Sequence, residues 1–130
     1  MITDFSAVIA ILKEEPEAQP FVRELSAAVL PKRMSSASFL EAAIVVDANR
    51  NPHLSRGFDD LIAGTGIVVE PLTREQAEIA RAAYRDFGKV SDHPAGLSFG
   101  DCFAYALAKA MREPLLFKGD DFSKTDVAVA

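Results

Sequence analysis

Five acidic side chains carry the chemistry this sequence can offer: Asp4, Glu41, Asp101 and the adjacent Asp120 and Asp121. Ionised carboxylates gathered in one cleft repel each other, so they take up protons or bind a cation. The chain has a single cysteine, Cys102, and two histidines, His53 and His93. A Cys- or His-based zinc site is therefore poorly supported. Oxygen donors select hard cations, Mg²⁺ or alternatively Mn²⁺. Such a cation, held by one or two carboxylates and water, activates water and stabilises charge developing on phosphorus oxygens.

The acids must be brought together by the elements around them. Residues 1–3 read as a short extended segment that Asp4 ends. Residues 6–13 and 17–29 are apolar at helical spacing and are separated by Pro16. On the second of these, Phe21, Val22, Leu25, Ala28 and Val29 share one face. A brief strand is expected at 32–35, then a helix over 38–48 that stops at Asn51-Pro52. A further helix spans 53–63. Ile67-Val68-Val69 is β-branched and apolar and reads as a buried strand. Residues 73–87 form an amphipathic helix with a capping box at Thr73 and Gln76. A polar loop over 88–96 precedes a helix over 98–111. Leu115-Leu116-Phe117 is the last strand, before the turn at Gly119-Asp120-Asp121.

Strands alternating with helices imply an α/β domain with a central parallel sheet flanked by helices. No linker or internal repeat divides residues 1–130, so a single domain is expected. Asp4 ends the first strand and Asp120–Asp121 follow the last. Glu41 and Asp101 fall in the first turns of helices. In open α/β sheets, ligands bind beyond the carboxyl ends of the strands, where helix N-termini also converge. Each acid also has a plain structural reading. Ser38 with Glu41, and Ser98 with Asp101, fit capping boxes. Asp4 can cap the helix after it, and Asp120–Asp121 can be an ordinary turn. The functional reading rests on four acidic positions meeting at one sheet edge.

Bulk properties narrow the partners. Apolar residues make up 49% and charged residues 25%, which is globular composition. The net charge of −5 argues against sequence-independent binding to a polyanion through a basic surface. A bound cation would supply positive charge locally. No apolar run approaches the roughly 18–20 residues a membrane span needs. Asp4 stands where a signal peptide would be basic, so a cytoplasmic protein is expected.

The segments that hold the acids resemble the PIN-domain toxins of the VapC-like family, found in type II toxin–antitoxin pairs. The likeness runs through Met1-Ile2-Thr3-Asp4-Phe5-Ser6-Ala7 and Ser35-Ser36-Ala37-Ser38-Phe39-Leu40-Glu41. It continues through residues 93–108, which contain Leu97-Ser98-Phe99-Gly100-Asp101-Cys102, and Leu115-Leu116-Phe117-Lys118-Gly119-Asp120-Asp121-Phe122, extended by Thr125-Asp126. The resemblance implies a PIN-like three-layer sandwich and Mg²⁺-dependent cleavage of RNA by a metal-activated water. It also implies inhibition by a cognate antitoxin and a homodimer. By motif position Asp4, Glu41 and Asp101 are the principal acids, with Asp4 and Asp101 as metal ligands. Asp121, beside Phe122, aligns with the family's fourth acid, and Asp120 is the alternative. Ser6 would hold Asp4 or a water. Phe5 stands where the family usually has a small hydroxyl residue, so one local hydrogen bond near Asp4 is expected to be missing.

Arg112 and Lys118 have two readings: phosphate contacts, or a favourable charge at a helix C-terminus and a solvated surface. Cys102 reads as core and His93 as surface loop. The apolar faces of the first two helices could form a groove for a partner's amphipathic helix, or could be core. Two other functional classes compete with the nuclease: a non-catalytic PIN-like module that binds RNA or protein, and a phosphoacceptor receiver domain. The receiver expects its acidic pair early in the chain, whereas here it comes late.

Overall fold

The computed structural model describes residues 1–130. Four short strands form its centre: β1 (Ile2–Thr3), β2 (Arg33–Ser35), β3 (Val68–Glu70) and β4 (Leu115–Leu116). All neighbouring pairs are parallel, in the order β3-β2-β1-β4. Six helices surround them: α1 (Phe5–Leu12), α2 (Ala18–Ala27), α3 (Ser36–Ala48), α4 (Pro52–Thr65), α5 (Arg74–Phe87) and α6 (Asp101–Met111).

The period-2 alternation of strand side chains separates two cores. Ile2 and its register partner Leu115 point into a cluster built from α5 and α6, including Ala80, Ala83, Tyr105 and Leu107. Leu116 and Met34 point the other way, against Ala7, Val8, Leu25, Ala42, Val46 and Phe58 from α1 to α4. Sheet between two helical layers is the three-layer α/β sandwich expected from the alternation of elements. Each fully buried aliphatic side chain, such as Leu107 or Leu115, stabilises it by roughly 1.5–3 kcal/mol.

The order of the strands also locates a crevice. The chain steps from β1 outward to β2 and β3, then returns to place β4 on the other side of β1. The order reverses at β1, and α1 to α4 pack on one face of the sheet while α5 and α6 pack on the other, the arrangement that leaves a crevice beyond the carboxyl ends of β1 and β4. Asp4 is the first residue past β1.

Three local expectations are corrected. The strand at residues 67–69 is not buried along its length: Ile67 is buried, but Val68 and Val69 are 48% and 37% exposed. β3 is the outer strand, so only one of its edges is covered. The other outer strand, β4, is shielded by the C-terminal tail, where the Leu115 N–H donates to the Ala128 carbonyl and the Ala130 N–H to Leu115. Second, α3 begins at Ser36, not Ser38, because Ser35 caps it by accepting from the Ala37 N–H at 3.3 Å. Ser38 and Glu41 therefore form no capping box, and Glu41 lies in the second turn. Third, the segment over 88–96 is more ordered than a polar loop. It holds a 3₁₀ turn at Lys89–Ser91 and a parallel bridge from Gly88 to Leu97.

Candidate active site

Asp4 enters the crevice from the end of β1. The sheet fixes its backbone, because its N–H donates to the Leu116 carbonyl of β4 at 2.9 Å. It is also the N-cap of α1: Oδ2 accepts from the Ser6 N–H at 3.0 Å and the Ser6 hydroxyl at 2.5 Å. Oδ1 is buried and has no hydrogen-bond partner. Ser6 supplies both bonds, so Phe5 leaves that carboxylate anchored.

Asp101 opens α6. Its Oδ2 accepts from the Ser98 N–H at 2.8 Å, and the Ser98 hydroxyl accepts from the Asp101 N–H at 3.2 Å. This is the reciprocal capping box expected of Ser98 and Asp101. Glu41 reaches the same place from α3, with no hydrogen bond of its own. Its carboxylate lies directly against Gly100, where a Cβ would overlap both of its oxygens. Gly100 is the position sequence reasoning passed over. A residue without a side chain one step before Asp101 was the available signal.

The three carboxylates share one electrostatic environment. Burial, opposed by the Ser6 hydrogen bonds and reinforced by the charges of Asp101 and Glu41, raises Asp4 to about 7. Burial and the Asp101 charge also push Glu41 above its ordinary range. Asp4 and Glu41 favour the proton first because they are buried and then because like charges stand near them, the condition under which a cation can be bound instead.

No three such groups stand close enough to form a ready-made metal cage. The donor set nonetheless fits a hard cation of the Mg²⁺ type, which needs only one or two carboxylates and keeps its remaining waters. The buried, unpartnered Oδ1 of Asp4 is the observation that supports this fit, since a buried polar atom without a partner is costly.

Asp120 and Asp121 do not join this environment. Both are exposed on the turn beyond β4, and Asp120 is paired with Lys124 at 3.2 Å. Lys118, on the same segment, is bound to the acids between α1 and α2: it pairs with Glu15 and lies 3.6 Å from Glu17. Its backbone N–H donates to the Ser6 hydroxyl oxygen at 3.0 Å. Arg112 caps the C-terminus of α6, the end away from Asp101, which removes it from the crevice. Cys102 is buried, and burial with the Asp101 charge pushes its thiol up to about 11. It is core, not nucleophile. His93 stacks edge-on against Phe87 and accepts from the Ala95 N–H through Nδ1, a structural role.

Ala7, Val8 and Ala10 of α1 are fully buried, so this face is core, while α2 leaves Val22 partly exposed. The larger exposed apolar surface lies elsewhere. Leu40 and Ile44 on α3 are 58% and 59% exposed, and Phe99, next to Gly100, is 76% exposed. Phe99 and Phe103 form an edge-to-face pair between two open grooves. One groove, of about 450 Å³, runs along α3 past Glu41, and the other, of about 520 Å³, runs along α5.

Comparison with known proteins matches this arrangement to one family. The PIN domain model matches residues 1–128. Ribonuclease VapC28 of Mycobacterium tuberculosis is 54% identical over 127 residues, covering 98% of this chain and 95% of that protein. Two solved structures share the fold. VapC20 of Mycobacterium tuberculosis, described as a toxin that cleaves the sarcin–ricin loop, superposes with a TM-score of 0.76 at 14% identity, covering 99% of this chain and 97% of its own. A toxin–antitoxin complex from Klebsiella pneumoniae gives a TM-score of 0.72 at 17% identity, covering 99% and 95%.

Proposed function

The chain belongs to the PIN-domain family, in its VapC-like branch, and from that premise we propose that it is a Mg²⁺-dependent endoribonuclease acting as the toxin of a type II toxin–antitoxin pair. The observation that carries this reading is a buried Asp4 oxygen with no partner within the protein, in a carboxylate that feels the charges of Asp101 and Glu41.

Asp4 and Asp101 would hold the cation, Mg²⁺ or Mn²⁺. Each has one oxygen committed to capping and keeps the other free. When bound, such a cation polarises water and the phosphodiester and offsets negative charge in the transition state. Glu41, with no hydrogen bond of its own and raised above its ordinary range by burial, would take the proton of the attacking water, and the ribose oxygen released as the P–O bond breaks would take up a proton in turn. Asp121, or Asp120 beside it, would act from the turn beyond β4 as the outer member of the set. The cation also answers the charge problem of an acidic protein that binds RNA.

The expected partners are RNA, a cognate antitoxin and a second copy of the chain. The antitoxin finds support in the toxin–antitoxin complex whose toxin shares this fold. The exposed apolar residues of α3 and Phe99 are the surface a homodimer would cover.

The test is cleavage of a panel of structured RNAs by the purified protein. Cleavage is expected with Mg²⁺ or Mn²⁺, to stop with chelator, and to be lost in Asp101→Asn. RNA binding without cleavage under every metal tried would instead favour the non-catalytic binding module.

A further inference from the structure

Lys118 is bonded at two places on opposite ends of α1. Its backbone N–H donates to the Ser6 hydroxyl oxygen at the start of that helix. Its side chain pairs with Glu15 and Glu17, just beyond the end of the same helix. The ammonium is held by these acids and is pushed further toward its charged form by them. The segment it belongs to has just left the sheet: the last β1–β4 ladder bond is from Asp4 N–H to Leu116. Three residues after Leu116, Gly119 turns the chain at a φ of 94°, a conformation that suits glycine. Phe117 anchors this stretch in the core, edge-on to Phe122, and the ion pairs add a second hold at Lys118 between the end of β4 and that turn.

The backbone bond has a directional consequence. A serine hydroxyl has one proton to give and two lone pairs with which to accept. Because Lys118 N–H donates to the Ser6 oxygen, that oxygen accepts there, and its single proton is given to Asp4 Oδ2 at 2.5 Å. Oδ2 then has two donors and Oδ1 has none. The Asp4 carboxylate is thereby held through Oδ2, and Oδ1 is left buried and unpartnered.

We infer that Lys118, through its ion pairs with Glu15 and Glu17, is a positioning residue that orients Ser6 and thereby presents Asp4 Oδ1 to the cation. The inference rests on the proposed metal site and adds a three-layer support to it: acid, hydroxyl, and clamped main chain. Outer partners of this kind tune metal affinity in proportion to how firmly they hold the ligand.

The test compares wild type with Lys118→Met and with Glu15→Gln/Glu17→Gln, the latter changing the acids that pair with Lys118 beyond the end of α1. Mn²⁺ binding is read by calorimetry, and hydrogen exchange of the Lys118 amide is read by NMR without metal. Both variants are expected to bind Mn²⁺ about 10-fold more weakly, the low end of what outer partners contribute. The Lys118 amide is expected to exchange faster in both, and Lys118→Arg, which keeps the ion pairs, should restore both readouts. Unchanged Mn²⁺ affinity in both variants would overturn the inference while leaving the metal site standing. Weaker RNA binding with a reduced salt dependence at intact Mn²⁺ affinity would overturn it too, by making Lys118 a direct phosphate contact. A wild-type protein that bound no Mn²⁺ would refute the proposed metal site itself, and this inference with it.

Discussion

Replacing Asp4 by Asn removes the only charged side chain among the fully buried residues and leaves a neutral group of nearly the same shape. Asp4 is raised from 3.8 to about 7 in the folded chain, chiefly by burial. Between about pH 4 and pH 7, the folded chain holds a proton that the unfolded chain has released, so stability falls as pH rises through that window. About three pH units at ~1.36 kcal/mol each set a ceiling of about 4 kcal/mol. Some of this returns as the cost of housing the Asn amide, so Asp4→Asn should stabilise the metal-free protein by about 2–3 kcal/mol at pH 8. For a chain of this size that is a gain of roughly 6–15 °C in Tm. Toward pH 4 the side chain becomes neutral in both proteins, so the gain vanishes and only the cost of the amide, about 1–2 kcal/mol against the variant, remains. The assay is thermal unfolding in chelator from pH 4 to 8.5, reading the difference between the two proteins so that other titrations cancel. Saturating Mn²⁺ should then reverse the order, because only the wild type gains the full binding stabilisation. Parallel pH profiles, or a less stable variant throughout, would refute the assignment of a buried, destabilised carboxyl at Asp4.

Other variants test the remaining parts. Asp101→Asn should lose RNA cleavage by more than about 100-fold, beyond the range that outer partners alone account for. Its Tm should stay close to wild type, since the Asn oxygen still accepts from Ser98; a loss of fold by circular dichroism would contradict this. Gly100→Ala puts a Cβ where the Glu41 carboxylate lies, so cleavage should fall about 10- to 100-fold in initial-rate assays. Leu107→Ala, at a fully buried site on α6, should cost about 2–5 kcal/mol in denaturant unfolding. Ile44→Glu places a charge in the exposed α3 surface and should shift the mass in solution from dimer to monomer.

The sequence made the architecture legible because strand and helix signals alternate along the chain, and all four strands fall within a residue or two of their expected positions. The exposure of Val68 and Val69 was not legible, since an apolar β-branched run looks the same on an inner and an outer strand; only the order β3-β2-β1-β4 distinguishes them. The start of α3 was misread for a different reason. Ser35, Ser36 and Ser38 are all acceptable caps, and the choice of Ser35 is made by where β2 ends. That shift of two residues moved Glu41 from a capping position to one without hydrogen bonds. The contact between Glu41 and Gly100 joins residues 41 and 100, and no local pattern encodes it. Asp120 and Asp121 were legible as a turn, and a turn is what the structure holds there.

The choice between a structural and a chemical reading of Asp4 and Asp101 dissolves when the oxygens are considered separately. A carboxylate has two acceptor oxygens, and a cap uses one. In both residues Oδ2 accepts the capping N–H. The cap fixes the carboxylate plane, removes rotamer freedom in advance, and leaves the second oxygen without a hydrogen bond. Asp4 accordingly carries an unpartnered Oδ1 that a residue used only for capping would have no reason to bury. Helix capping is therefore how this fold aims two of its carboxylates. Glu41 caps nothing, makes no hydrogen bond and lies against Gly100, which leaves it available for the proton transfer proposed for it.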